Sequence, residues 1–161
     1  MVKTHHYTTT VHWQGNQGTG TSQYTGYSRQ HSITAPHKSV AIGGSSDAAF
    51  RGDATLYNPE ELLLASLSSC HMLWYLHLCA VAGVIVIDYK DQAEALLIEK
   101  ADGGGKFQSA TLYPQVTVLA AEMIDKAILL HHKAHDLCFI ANSVNFSVHI
   151  QPIVTTKEKH S

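Results

Sequence analysis

From Leu62 to Ile87 the chain carries no Asp, Glu, Lys or Arg, a run of 26 residues. The run opens on Asn58-Pro59-Glu60-Glu61, an N-cap residue before a proline at the first helical position with a glutamate three residues after the cap. Gly83 is a natural left-handed stop. The pattern predicts one helix over Pro59–Ala82, followed by a strand beginning Val84-Ile85-Val86-Ile87. About 20 apolar residues span a bilayer, but Ser66, Ser68, Ser69, His71 and His77 interrupt this stretch. It reads as a helix buried on nearly all sides, in a core or at a dimer interface.

Ahead of the helix the period is shorter. Tyr7–Trp13 alternates in strand fashion, Gly15–Gly20 supplies a turn, and Gln23–Arg29 and Ser32–Ala35 are further strand candidates of a meander. Pro36–Tyr57 has little periodicity and reads as a long functional loop. Beyond the helix, Val84–Glu99 and Phe107–Leu119 read as two strands joined by a hairpin at Ala101-Asp102-Gly103-Gly104-Gly105. Apolar positions at Met123, Ala127, Ile128, Leu130, Ala134, Leu137 and Cys138 predict a second helix, and Val144–Val154 a last strand. The order β-β-β-α-β-β-α-β is that of an α+β protein rather than a doubly wound parallel sheet.

A length of 161 residues, 45% hydrophobic and 15% charged, fits a single domain over residues 1–161 that buries a sizeable core. A net charge of −2 leaves no basic surplus for nucleic acid or an anionic membrane. The start MVKTHHYTTTVHW has no apolar run of signal-peptide length, which leads us to expect a cytoplasmic protein. Three cysteines, Cys70, Cys79 and Cys138, are too few for a secreted disulfide scaffold. Cys70 and Cys138 each fall on a predicted helix among apolar neighbours, as an inert core or a thiol pair would have them.

Asn58-Pro59-Glu60-Glu61-Leu62-Leu63, then Ser68-Ser69-Cys70-His71-Met72, then the late helix around Cys138 with a strand after it, resemble the OsmC/Ohr family (osmotically inducible protein C-like, organic hydroperoxide resistance). The resemblance runs from Trp13 to Pro152. It implies an intertwined α+β homodimer and a thiol-dependent peroxidase that reduces organic hydroperoxides in oxidative-stress defence. It further implies that no cofactor is needed and that a dithiol, small or on a lipoyl protein, is the reductant. Cys70 then corresponds to the peroxidatic cysteine, Cys138 to the resolving cysteine and Glu60 to the carboxylate that orders the site. Arg51 is the first candidate for the family's arginine and Arg29 the second.

The chemistry gives these residue types a reason. A thiolate attacks the peroxide, a nearby arginine favours the charged form, and a carboxylate can hold that arginine. The sulfenic acid that results condenses with a second thiol. Glu60 and Cys70, ten residues apart, stand about 15 Å apart along one straight helix. Either the helix breaks near Ser68-Ser69, or Glu60 serves a Cys70 on a second copy, the arrangement we expect. Trp74, Met72, Leu73 and Phe139 could line an apolar mouth, although large residues at helical spacing are more often core. Cys79 reads as core, and Asn142, Ser143 and Asn145 as the end of the second helix and the start of the strand.

The competing reading is a non-enzymatic stress or ligand-binding protein of the same fold, with or without a bound metal. His131, His135 and Cys138 share a helix face, with His132 adjacent, and such ligands can hold zinc. His5, His6, His12, His31, His37, His149 and His160 look dispersed. Nucleophilic hydrolysis is disfavoured, since side chains adjacent on a helix, such as Cys70 and His71, diverge by about 100°. No phosphate loop or dinucleotide fingerprint occurs.

Overall fold

The computed structural model describes residues 2–157; His160 lies outside them. The elements are three strands, a long helix, four strands, a second helix and two strands, an α+β architecture. The chain divides after Leu62 into two compact units.

In the first unit β1 (Thr10–Trp13), β2 (His31–Thr34) and β3 (Ile42–Gly44) form an antiparallel sheet in the order β1-β2-β3. The stretch Gln23–Arg29, expected to be a strand, is instead a series of turns. Three of its carbonyls are taken by side chains rather than by a neighbouring strand: Arg29 donates to Tyr27 O (2.6 Å) and Tyr24 O (2.8 Å), and Trp13 Nε1 donates to Ser28 O (2.8 Å). The expected loop Pro36–Tyr57 contains β3 and a 3-10 turn at Ala48–Phe50 capped by Asp47, which accepts from Ala49 N at 2.8 Å.

α1 (Pro59–Ala82) has the ends its sequence predicts. Asn58 Oδ1 accepts from Glu61 N (2.8 Å) while Glu61 Oε2 accepts from Asn58 N (3.0 Å), a reciprocal capping box. At the other end Gly83 has a φ of 75°. Val84 N donates to Cys79 O (2.9 Å) and Gly83 N to Ala80 O (3.3 Å), the paired bonds of a Schellman turn.

The second unit holds two three-stranded sheets, β4-β7-β9 and β5-β6-β8. The strands are β4 (Val86–Asp91), β5 (Glu94–Glu99), β6 (Gly105–Leu112), β7 (Pro114–Val118), β8 (Ser147–Ile150) and β9 (Ile153–Thr156). Each of the three long strands expected here is therefore split in two. Pro114 and Pro152 sit at two of the breaks, where a residue without an N–H cannot continue a ladder. Asp91 stands at the third, its carboxylate accepting from Tyr113 N (2.7 Å).

α2 (Ile124–Leu137) packs on the first of these sheets around Tyr75, Leu78, Cys79, Val116, Val118, Ala127 and Ala134. Cys79 is core, as expected. Within the single chain, however, α1 buries only part of its surface: Leu73 is 63% and Val81 74% exposed. It is long and apolar enough to cross a membrane by length and composition.

Candidate active site

Cys70 lies on α1 and is half-buried. Cys138 lies just beyond the last turn of α2, with its backbone already extended, and is buried. The two cysteines are free thiols, and Cys70 adjoins Cys138 closely enough to bear on the proton of Cys138. Burial pushes the Cys138 thiol up to about 11. The N–H groups of Ala141, 3.4 Å from its sulfur, and of Ile140 pull in the opposite direction, and Cys70 adds to the rise. Asn142 Nδ2 donates to Asp136 O (2.9 Å), which ties down the segment that carries Cys138.

Beside these thiols lie large side chains that are only partly buried, of which Trp74 packs against the core as expected. Trp74, one turn after Cys70, is half-buried and meets the edge of Phe139, the residue after Cys138, at 5.7 Å between ring centroids. Phe139 is 65% exposed. With Leu73 they give this part of the second unit an open apolar margin.

The first unit holds the remaining candidates. The Arg29 guanidinium, already fixed by two carbonyls, lies over the rings of Tyr27 (4.1 Å) and Tyr24 (4.5 Å). It borders a cavity of about 350 Å³ with Trp13, Tyr27, His31, Ser45 and Pro59. His31 Nδ1 pairs with Arg29 O at 3.0 Å, and a Cβ on Gly44 would run into the His31 ring. Arg51, by contrast, is exposed at the end of the 3-10 turn with a φ of 64°. Glu60 is half-buried in the first turn of α1. α1 is continuous, so the break near Ser68-Ser69 that would have let Glu60 approach the Cys70 of its own chain is not there.

The histidines are arranged differently from the sequence reading. His131 does not join His135 and Cys138 in a ligand set. Its Nδ1 is taken by His71 Nε2 at 3.0 Å, and among the described residues no three His, Cys, Asp or Glu side chains are placed to hold a metal ion. His149, expected to be dispersed, borders a cavity of about 220 Å³ with His131, His132 and His135. The His71–His131 pair was missed. Its signal was present, since His71 falls on the same α1 stripe as Leu67, Tyr75 and Leu78, and His131 on the α2 stripe of Ala127 and Ala134.

The order of its strands and two helices places the chain among small α+β proteins. The sequence profile of the OsmC-like proteins matches residues 52–152, and the chain belongs to that family. An OsmC-like protein of unknown function from Vibrio cholerae is 28% identical, with a TM-score of 0.83 over 93% of this chain and 100% of that one. An organic hydroperoxide resistance protein OsmC from Legionella pneumophila has the same fold at 17% identity and a TM-score of 0.67, covering 98% of this chain and 100% of its own. An organic hydroperoxide resistance protein from Elizabethkingia anophelis, with thiocyanate bound, does so at 15% identity and a TM-score of 0.67, with coverage of 98% and 100%. Among curated proteins none matches the chain.

Proposed function

We propose that the protein is a cysteine-based peroxidase that reduces organic hydroperoxides in oxidative-stress defence, with Cys70 as the attacking thiol and Cys138 as the resolving one. The observation that carries the reading is the unequal pair: a half-exposed thiol next to a buried one whose proton is held tightly. The accessible sulfur is suited to meet a peroxide. The protected one is suited to wait for the product of that encounter.

In the first step the Cys70 thiolate attacks the peroxide oxygen, the O–O bond breaks, and the alkoxide leaves to take up a proton as an alcohol. Cys70 is then a sulfenic acid. In the second step the Cys138 sulfur displaces hydroxide from it, which leaves as water with the Cys138 proton, and a disulfide forms. The N–H groups of Ala141 and Ile140 favour negative charge on Cys138 as its proton departs. An external dithiol, small or carried by a lipoyl protein, returns both thiols and is itself oxidised to a disulfide. No cofactor is required. The Trp74–Phe139 margin suits alkyl chains better than hydrogen peroxide.

The reading includes a homodimer of a one-domain chain. With α1 unbroken, Glu60 can serve a Cys70 only on a second copy. The exposed Leu73 and Val81, together with Leu96, Leu97 and Ile98 on β5, offer apolar surface for that copy. Preorganisation favours Arg29 over Arg51 as the arginine, because only Arg29 is braced by carbonyls and rings beside a cavity. Cytoplasmic residence, without nucleic-acid or membrane partners, fits a redox cycle that needs reduced thiols.

The test is to mix reduced protein with one equivalent of cumene hydroperoxide and count thiols under denaturing conditions. A loss of two that is abolished in Cys70→Ser supports the proposal. No loss overturns it in favour of a non-enzymatic protein of the same fold.

A further inference from the structure

His71 and His131 are 1% and 2% exposed, and they join α1, which carries Cys70, to α2, which ends just before Cys138. His71 Nε2 and His131 Nδ1 are 3.0 Å apart, and the two rings lie within 10° of a common orientation. Tyr75 stacks on His131 at 3.8 Å between centroids. His71 follows Cys70 directly on α1. His131 precedes Cys138 by two turns of α2, a spacing that keeps both on the same side of the helix.

The pair is an uneconomical way to fill a core. One hydrogen bond is made, while His71 Nδ1 and His131 Nε2 have no protein partner, and two apolar side chains would fill the same space without burying unpaired polar atoms. Apolar contacts, however, tolerate one helix sliding along another, whereas a hydrogen bond between flat rings is met at one register. Burial keeps both rings neutral, and a neutral imidazole has the one donor and one acceptor that such a bond needs.

We propose that the His71–His131 hydrogen bond is a positioning device that holds α1 and α2 at the register in which Cys70 and Cys138 can join as a disulfide. The inference rests on the reading of those cysteines as a redox pair. Neither histidine touches a reacting atom in it.

The measurement is the equilibrium between the reduced full-length protein and its Cys70–Cys138 disulfide in glutathione buffers, read by alkylation and mass, with no peroxide present. His131→Leu is expected to lower the effective concentration of the pair about tenfold, the scale of one hydrogen bond. His131→Asn, whose amide reaches the Nδ1 position, is expected to stay within about twofold of the parent. Equal losses in the two variants, or none in His131→Leu, overturn the proposal.

Should His131→Leu fail to fold, His71→Met against His71→Gln decides by the same criteria, since the Gln amide reaches the Nε2 position. A parent protein that forms no Cys70–Cys138 disulfide in any buffer overturns both the inference and the peroxidase cycle. One that forms it but consumes no hydroperoxide, with the variants ordered as expected, sinks the peroxidase reading and upholds the positioning role.

Discussion

Ser68 Oγ donates to Asp91 Oδ2 at 2.5 Å, a bond from the turn of α1 just before Cys70 to the break between β4 and β5. The other oxygen of the same carboxylate accepts from Tyr113 N, in the gap between β6 and β7. One side chain thus closes two interruptions in the strands and ties them to the thiol helix. Asp91→Ala strips the partner from a part-buried backbone N–H and from a hydroxyl, and should destabilise the protein by about 2–3 kcal/mol. Asp91→Asn, which keeps an acceptor, should lose less. Urea unfolding of the two variants checks the order.

Replacing Cys138, the proposed resolving thiol, should separate the two chemical steps. Cys138→Ser is expected to consume hydroperoxide once at an unchanged rate and then stall as a sulfenic acid on Cys70. Dimedone adducts should accumulate, and excess peroxide should drive the sulfur on to the irreversible sulfinic state. Intact-protein mass spectrometry reads both products. Adduct formation equal to that of the parent would show that Cys138 does not resolve.

The two arginines make opposite predictions. Arg29→Ala removes a cation held by Tyr24 O, Tyr27 O and two rings, and should slow the first, single-turnover attack on cumene hydroperoxide by about 100-fold, the scale of a lost preorganised electrostatic contact. Arg51→Ala, at an exposed turn, should stay within about threefold of the parent. Stopped-flow kinetics with limiting peroxide distinguishes them, and the reverse order would restore Arg51 to the role that its place before Asn58 suggested.

Much of this arrangement was legible in the sequence where the deciding interactions are local. Asn58, Glu61 and Gly83 set the ends of α1 through bonds spanning five residues or fewer, and the pattern around them is sufficient. The failures are where a distant side chain takes over a backbone group. Gln23–Arg29 has the composition of a strand, but Arg29 occupies the carbonyls that a ladder would use. Pro114 and Pro152 were visible, yet each lay inside an apolar run long enough to be taken as one strand. The His71–His131 bond joins positions 60 residues apart, and the helical stripes that mark both rings as buried do not say what either ring pairs with.

The buried histidines also predict how the fold responds to acid. Burial first, and then the charge of His135, pushes His71 down to about 4. Burial, then His71 and His132, pushes His131 down to about 3. Both values lie below the ordinary 6.5, so the unfolded chain binds more protons than the folded one. Stability is therefore complete above about pH 6.5 and falls with decreasing pH toward 4, with an uptake on unfolding approaching about two protons near pH 5. Urea midpoints measured from pH 7.5 to 4.5 should decline steeply in the parent and more gently in His71→Gln. Parallel curves would mean that these rings are not buried in the neutral form.

The exposed side of α1 carries the last prediction. Leu73 and Val81 are eight residues apart on one helix, and both are largely exposed in the single chain. No aspartate, glutamate, lysine or arginine follows Glu61 on the helix to provide a solvated face, and apolar side chains left in water forgo about 25 cal/mol for every Å² that a partner would cover. A second copy related by a two-fold axis would bring the same stripe against itself. A charge placed there would be buried without a counter-ion in the dimer but solvated in the monomer. Leu73→Glu and Val81→Glu should therefore convert a dimer into a folded monomer by light scattering, with helical content retained by circular dichroism. If Glu60 serves the thiol of the other copy, hydroperoxide turnover should fall with the dimer, and single turnover should recover at protein concentrations high enough to restore association. A parent protein that is monomeric at micromolar concentration, yet active, would break the link between the bare helix face and the site.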